Sequence, residues 1–329
     1  MLKGLSRRLL TLLQLTRMAL VFTAIADSYC TALLRMSVKG FGDHDVLQPS
    51  RMVAIAAMSV GLYGFGMSLN DIADRRRDSQ MASHRPLPSG RVGLFTAHII
   101  SVLLALGALG AAAYYSQVTH DWWSFFFVVW TGLLISFYDL AGKFLVAPGL
   151  LALGCIRFLH CLVPAPRMPV LWHPLLLLNH VTILSAVAYR WEEKRPTLTR
   201  IHYWTIGAGL ALIDGLCIYV VYSRHRPQGL SLVPGLVVPA AAAIVFTFIA
   251  RYVRRRSPTS REAGQTVMLY GLLWLIVYDA CFVLVYNDWL AAALLLLLFP
   301  AAYFSVQLMR WWSKILTLSQ RPTFKRANA

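Results

Sequence analysis

Three aspartates at helical spacing, Asp71, Asp74 and Asp78, follow the end of a long apolar run. At about 100° per residue, Asp78 lies about 20° from Asp71 around the helix and Asp74 lies about 60° from it, within about 10 Å of helix length. Carboxylates this close repel one another, so we expect a cation to neutralise them. Their hard oxygen ligands favour Mg²⁺, which commonly completes its shell with water and substrate phosphate. Asn70 adds a neutral oxygen ligand or an amide donor.

The segment after these aspartates is rich in proline and glycine. Its residues 86–90 end the helix and predict a rigid turn. Arg85, at the start of that turn, can bind a phosphate through two parallel hydrogen bonds. The alternative is a solvated loop of mixed charge, and we favour that reading for the arginines at 75–77 because such residues set membrane orientation. For the aspartates, Asn70 and Arg85 together, we favour a site for Mg²⁺ and a diphosphate.

Three further charged residues are candidates for a polar site. Lys143 is a lone cation on a predicted cytosolic turn, where it could bind a diphosphate oxygen or simply extend to the membrane interface. Arg157 falls in the middle of an apolar run, where a charge is costly and lines a cavity or has a partner. Asp27, within the first apolar run, could pair with Arg157, orient a ligand or accept a proton.

A second polar loop, at about 190–200, offers only Glu192 and Glu193 as carboxylates. Because these two residues are adjacent, their side chains point about 100° apart on a helix. One of them could therefore ligate the metal while the other is solvated, or both could be solvated. Glu192 is our candidate for a metal ligand.

Ten apolar runs surround these polar residues, and each is about as long as a membrane-crossing helix. Lipid admits only helices and closed barrels, and the runs do not alternate as barrel strands do. With 58% hydrophobic and 14% charged residues, the sequence predicts an all-α bundle of nine to ten transmembrane helices. We expect one domain over 1–315 and a polar cytosolic tail over 316–329. The predicted spans are 14–34, 52–69, 93–114, 122–138, 146–163, 174–189, 203–222, 232–250, 266–286 and 289–309.

The net charge of +17 could suggest a nucleic-acid partner, but its distribution indicates membrane orientation instead. With the N-terminus in the cytosol, most Lys and Arg residues fall in segments on the cytosolic side, as the positive-inside rule requires. The aspartate loop and the second polar loop then share this side. We therefore expect the lipid bilayer as a partner, no nucleic acid, and both termini in the cytoplasm.

The five cysteines all fall within predicted helices, and no pair has the sequence spacing of metal ligands. Small apolar packing is the usual role of such residues. The sequence therefore gives no reason to expect a cysteine metal site.

The residues from Asn70 to Gly90 resemble the first aspartate-rich signature of the UbiA superfamily of membrane prenyltransferases. Members commonly read N-D-x-x-D-x-x-x-D and then N-R-P-L-P-S-G, and here His84 replaces the second Asn. The resemblance implies a helical bundle whose aspartate loops hold Mg²⁺ and a prenyl diphosphate at the cytosolic mouth, above an apolar cavity for the isoprenoid. It covers about residues 17–195, and beyond that only the helix pattern supports it.

Other stretches extend this resemblance. Tyr138 and Lys143 are similar to the family's Y-x-x-x-x-K stretch, which precedes a helix bearing glycine and arginine, here with Arg157. Many members carry a second D-x-x-x-D where this chain has Glu192 and Glu193. The combination looks most like the EboC-like branch of the superfamily.

The resemblance implies an enzyme that transfers an isoprenoid from a prenyl diphosphate to an acceptor, with Mg²⁺ as cofactor. It further suggests an integral protein of the bacterial inner membrane. The expected metal ligands are Asp71, Asp74, Asp78 and Glu192. The same three aspartates, with Arg85 and Lys143, are the expected catalytic residues. The expected substrate-binding residues are Asn70, Arg157, Asp27 and Tyr138, the last as an aromatic that can stabilise an allylic cation.

The alternative is a non-catalytic protein that binds or transports an isoprenoid or a lipid phosphate on the same bundle. The short second loop favours this alternative, whereas the intact first motif disfavours it. A transporter could show half-helices broken at matching positions of its two halves. Pro234 and Pro239 interrupt one late run, but the first half has no counterpart.

Overall fold

The computed structural model describes residues 2–37, 47–82, 85–169, 171–224 and 232–318, and every regular element in these ranges is helical. Two 3-10 turns, Met18–Leu20 and Gly142–Phe144, accompany the α-helices. The α-helices are α1 Leu2–Leu15, α2 Val21–Ser37, α3 Pro49–Ala73, α4 Arg75–Met81, α5 Leu94–Thr119, α6 Trp123–Leu140, α7 Val146–Leu162, α8 Trp172–Trp191, α9 Arg200–Arg224, α10 Leu232–Arg256, α11 Ser260–Tyr286, α12 Trp289–Leu296 and α13 Leu298–Leu318.

Helices lie at all ten predicted spans, which confirms the polytopic bundle. Within the described ranges, eight segments are long and apolar enough to cross a membrane. The α7 helix is apolar but slightly shorter, and α8 completes the ten as a 20-residue helix that carries two histidines and an asparagine. The eight segments are Met18–Ser37, Pro49–Ala73, Leu94–Thr119, Trp123–Leu140, Arg200–Ser223, Gly235–Arg256, Ser260–Tyr286 and Trp289–Trp312.

Two helices position the polar residues of the interior. The α2 helix packs against α3, α7 and α11, so its middle is enclosed by protein and not by lipid. The α3 helix packs most extensively against α5. At Gly61 the two backbones approach so closely that a Cβ atom would lie 2.7 Å from the carbonyl oxygen of Leu104. Such contacts between small residues are the usual basis of helix packing in membranes.

Three sequence expectations differ from the structure in detail. The last span is interrupted at Leu297, because Pro300 has no N–H to donate to the carbonyl one turn earlier. The α10 helix continues through Pro239. This proline therefore does not interrupt the helix, although the sequence analysis predicts an interruption. The α13 helix extends to Leu318, into the stretch assigned to the tail, whose residues 319–329 lie outside the described ranges. The boundary between domain and tail stays a prediction.

Replacing Gly61 with alanine tests the contact between α3 and α5. We expect Gly61→Ala to lower the melting temperature in detergent, because its Cβ would also lie 2.8 Å from the Cβ of Ala108. Gly107→Ala is the matched control on α5, since a Cβ there meets nothing within 4 Å. That control should be neutral or stabilising, because alanine is favoured over glycine in a helix by about 1 kcal/mol. Equal melting temperatures for the two variants would contradict the close contact.

Candidate active site

The aspartate motif lies where α3 meets α4. Asp74 is the junction residue between the two helices, with φ −85° and ψ 0°. Helical hydrogen bonding nevertheless continues across it, because the Asp74 N–H donates to the Asn70 carbonyl at 2.9 Å and the Asp78 N–H donates to the Asp74 carbonyl at 2.8 Å. The spacing of the three carboxylates therefore remains helical, as the sequence predicts.

Each of the three carboxylates is paired with a basic side chain from a different part of the chain. The expectation that they need a neutralising cation is met by side chains of the protein itself. Arg85 lies between two of them, at 3.8 Å from Asp71 Oδ1 as well as close to Asp78. The three closest pairs are Arg17 Nη2–Asp71 Oδ1 at 3.1 Å, Lys143 Nζ–Asp74 Oδ1 at 2.8 Å and Arg85 Nη1–Asp78 Oδ2 at 2.6 Å.

The carboxylates are buried more deeply than two of their partners. The side chain of Asp71 is 3% exposed, whereas those of Arg17 and Arg85 are 39% and 34% exposed. A carboxylate removed from water in this way is strongly destabilised unless a cation stays close. The arginines keep access to solvent and can therefore turn towards an anion that enters from solvent.

Lys143 reaches the site from a tight turn between α6 and α7. The turn Gly142–Phe144 folds back so closely that a Cβ at Gly149 would lie 2.6 Å from the Gly142 carbonyl oxygen. Glycine at the start of α7 thus allows the turn to seat against the helix. This packing fixes the backbone of Lys143, whose side chain is nearly buried.

Asn70 acts in this structure as a hydrogen-bond donor to an aspartate outside the motif. Its Nδ2 group donates to Asp139 Oδ1 at 2.8 Å, and Asp139 is buried. Tyr138 is close enough to Asp74 and Arg17 to interact with them electrostatically. The end of α6 therefore belongs to one polar mouth with the three aspartates and their basic partners Arg17, Arg85 and Lys143. Asp139 is a member of this mouth that the sequence analysis did not propose.

Arg17 is a residue of this mouth that the sequence analysis missed. It connects α1 to the turn that begins α2, and its backbone is left-handed, with φ 46° and ψ 36°. A residue other than glycine rarely adopts this conformation, which costs on the order of 1 kcal/mol and occurs often at functional sites. Its position in the sequence could have indicated this role, because Arg17 is the one basic residue within the first ten positions of the apolar run 14–34.

Glu192 is not joined to the three aspartates. It pairs with Lys194, at 3.1 Å between Nζ and Oε2, and its Cγ packs against Gly264. No hydrogen bond or ion pair links it to the aspartates in the part of the chain that the structure describes. The end of α8, which leads into the second loop, lies near α4, because Tyr189 is within electrostatic range of Arg77.

Asp27 and Arg157 pair with each other, away from the aspartate loop. Arg157 Nε lies 2.5 Å from Asp27 Oδ2, and Arg157 Nη2 donates to Thr23 Oγ1 at 2.7 Å. Ten residues of chain separate Arg17 from Asp27, which corresponds to about 15 Å along a helix. Their predicted contact with substrate stays a prediction, and the ion pair considered in the sequence analysis is present.

The fold and the mouth define an all-helical membrane protein with paired acidic and basic groups at one end. The model of the UbiA prenyltransferase family matches residues 29–263. The chain therefore belongs to the UbiA prenyltransferase family, whose members transfer prenyl groups. No protein of curated function matches its sequence significantly.

Two solved structures are similar to this chain, and the first of them shares its fold. A structure of digeranylgeranylglyceryl phosphate synthase superposes with a TM-score of 0.55 at 17% identity, covering 85% of this chain and 98% of that one. A UbiA homologue from Archaeoglobus fulgidus, solved with GPP and Mg²⁺, gives a TM-score of 0.46 at 12% identity, covering 89% of this chain and 99% of that one.

The pairing of Arg17 with Asp71 predicts a specific stability defect. We expect Arg17→Gln to lower the melting temperature, because Asp71 then keeps only the 3.8 Å contact with Arg85 and loses its closest counter-charge. Arg76→Gln, at an exposed position of α4, is the matched control and should leave the melting temperature unchanged. Adding Asp71→Asn to Arg17→Gln should restore part of the loss, and a failure to do so would contradict the pairing.

Proposed function

We propose that this protein is a Mg²⁺-dependent enzyme that moves an isoprenoid from a prenyl diphosphate to an acceptor. The observation that carries the proposal is the set of three carboxylates, each paired with a cation from a different element. Such a set can exchange its internal ion pairs for a metal ion on the carboxylates and a diphosphate on the cations. The net charge of the mouth changes little in this exchange.

The donor set at the mouth fits Mg²⁺. Three carboxylates at helical spacing supply hard oxygen ligands, of which Mg²⁺ usually needs one or two beside water and phosphate. Asp71, Asp74 and Asp78 would hold it, whereas Glu192 would first have to leave Lys194. Bound there, Mg²⁺ would supply neutralisation of the charge that grows on the departing diphosphate.

The basic residues have a direct part in this proposal. Arg85 and Arg17 carry planar groups that can donate two parallel hydrogen bonds to a diphosphate, and Lys143 adds a point charge. Positioned donors are most effective where negative charge develops during the reaction. We infer that these three side chains leave the aspartates for the diphosphate when the substrate enters.

The reaction breaks the C–O bond between the isoprenoid and the diphosphate, and the diphosphate keeps the electron pair. The allylic carbon then forms a bond with a nucleophilic atom of the acceptor, which gives up its proton. Tyr138 at the mouth can stabilise the allylic cation through its ring. Tyr63 interacts electrostatically with both Arg17 and Arg157, so it lies between the mouth and the interior pair and is a further wall residue for the isoprenoid.

We also propose the orientation and location given by the charge distribution. The mouth faces the cytoplasm with both termini, and the protein resides in a bacterial inner membrane. The basic residues of the aspartate loop and of the α10–α11 connection support this orientation, because both lie on the same predicted side.

A non-catalytic carrier of isoprenoid or lipid phosphate is the second candidate. It is favoured by Glu192, which pairs with Lys194 and does not add a carboxylate to the first set. The two candidates differ in whether diphosphate is released.

Neutralising the aspartates tests prenyl transfer directly. With farnesyl or geranylgeranyl diphosphate, Mg²⁺ and total membrane lipid as a mixed acceptor, the purified protein should release diphosphate. Asp71→Asn and Asp74→Asn should each lower this rate by about 10²-fold or more, because charge stabilisation at the leaving group is lost. Asp288→Asn is the control, since asparagine caps α12 as well as aspartate does.

The outcomes separate the two candidates. Release that requires Mg²⁺ and is lost in both aspartate variants, but not in the control, supports prenyl transfer. Tight Mg²⁺-dependent binding without release favours the carrier. If neither diphosphate binds, the assignment of this mouth as a prenyl diphosphate site is wrong.

Glu192 should contribute little to the same reaction. Because its carboxylate is engaged by Lys194, we expect Glu192→Gln to change the rate of diphosphate release by less than about 5-fold, well below the loss expected for Asp74→Asn. A loss as large as that of Asp74→Asn would show that Glu192 moves into the metal site during the reaction.

A further inference from the structure

A second polar cluster lies in the interior, away from the mouth. Cys30 of α2, His173 of α8 and Asp279 of α11 are all buried, and one donor atom of each lies within 4.8 Å of the others. Thirteen residues separate Arg17 from Cys30, which corresponds to about 20 Å along a helix. The cluster is thus well separated from the aspartate loop.

The hydrogen bonds of His173 determine which ring nitrogen is available. The Thr31 hydroxyl donates to the Asp27 carbonyl at 3.1 Å, so towards His173 Nδ1, at 3.4 Å, it can act only as an acceptor. In this arrangement Nδ1 carries the hydrogen and the lone pair of the neutral ring is on Nε2. The 2.6 Å contact with Asp279 Oδ1 then requires a proton on the Asp279 carboxyl group, which a metal ion would displace. A metal-binding histidine typically has this arrangement, with its other ring N–H held by a polar partner.

The other two groups also have unused donor capacity directed at this point. His173 Nε2 lies 2.6 Å from Asp279 Oδ1. Asp279 Oδ2 is buried and accepts no hydrogen bond from an N–H group of the described residues, while the Asp27 carboxyl group lies within hydrogen-bonding reach of Asp279. The Cys30 thiol makes one long contact, 3.5 Å to the backbone carbonyl of Asp279. Two buried carboxyl groups this close repel each other when both are ionised, and a bound cation would remove that repulsion.

The charges around the cluster permit a divalent cation. Arg157 is the nearby positive group, but its guanidinium is paired with Asp27 at 2.5 Å, so the two together are neutral. A thiolate from Cys30 and a carboxylate from Asp279 would balance two positive charges, with His173 neutral. Metal binding deprotonates its ligands in this way, and the membrane interior favours a net charge of zero.

We propose that Cys30, His173 and Asp279 form a binding site for a borderline-soft divalent cation, with Zn²⁺ as the best match. A set of sulfur, nitrogen and oxygen donors is typical of zinc. Zinc lies about 2.0–2.3 Å from its ligands, so the His173–Asp279 contact must open by about 1 Å to admit it. Asp27, whose carboxyl group is within hydrogen-bonding reach of Asp279, is placed to supply a fourth ligand. The ion would tie α2, α8 and α11 together, whether or not the mouth carries out prenyl transfer.

Zinc content tests the site without any assay of activity. The full-length protein in detergent is equilibrated with Zn²⁺, desalted and measured by elemental mass spectrometry. We expect about one zinc per chain, lost in Cys30→Ser and in His173→Gln. Cys217→Ser, and His180→Gln as a second buried histidine that bonds to Gly271 and Tyr278, are the controls and should retain it.

Co²⁺ provides a test on the unaltered protein. Cobalt bound by Cys30 should give a thiolate-to-cobalt absorption band that Zn²⁺ abolishes by competition. The band should be absent from Cys30→Ser that elutes as a monodisperse species with a wild-type melting temperature. Because the wild-type spectrum does not depend on how the variants fold, a wild-type protein with neither retained zinc nor a cobalt band overturns the proposal. Zinc retention equal in wild type, Cys30→Ser and His173→Gln also overturns it.

Discussion

The burial of three carboxylates at one end of a membrane bundle is the constraint on which the rest of the site depends. Carboxylates at this spacing cannot remain ionised and buried unless positive charge lies beside each of them. The chain supplies that charge from three distant places, the α1–α2 junction, the loop after α4 and the turn before α7. The left-handed backbone of Arg17 and the close glycine contact at the Lys143 turn are local consequences of delivering those charges.

The same balance of charge recurs in the interior. Asp27 and Arg157 neutralise each other on neighbouring helices, and His173 and Asp279 form a short polar contact of 2.6 Å between two further helices. These pairs connect helices α2, α7, α8 and α11, which enclose the middle of the bundle. The protein thus separates a solvent-accessible mouth, where we propose that ion pairs exchange for a ligand, from a cluster enclosed by helices.

The sequence predicted those features that depend on local spacing or on the solvent. Apolar run length predicted the helices, and helical periodicity predicted that the aspartates share one side. The cost of charge in lipid correctly suggested that Asp27 and Arg157 could be partners. Contacts between residues distant in sequence could not be predicted from local patterns. Arg17 lies 54 positions from Asp71, and no local sequence feature indicates that Asn70 donates to Asp139 or that Glu192 pairs with Lys194. The cysteine spacing likewise gave no hint of the cluster around Cys30, because its members come from three helices.

The central claim is that the basic side chains at the mouth leave the aspartates and bind the diphosphate of the substrate. The most direct test is a crystal structure of the protein grown in a lipidic mesophase with geranylgeranyl diphosphate, with Mn²⁺ in place of Mg²⁺ so that the ion can be located by its anomalous signal. The account predicts Mn²⁺ on Asp71, Asp74 and Asp78, with Arg85 and Lys143 turned from the carboxylates to the diphosphate oxygens. A diphosphate bound elsewhere, with the Arg85–Asp78 and Lys143–Asp74 pairs intact, would contradict it.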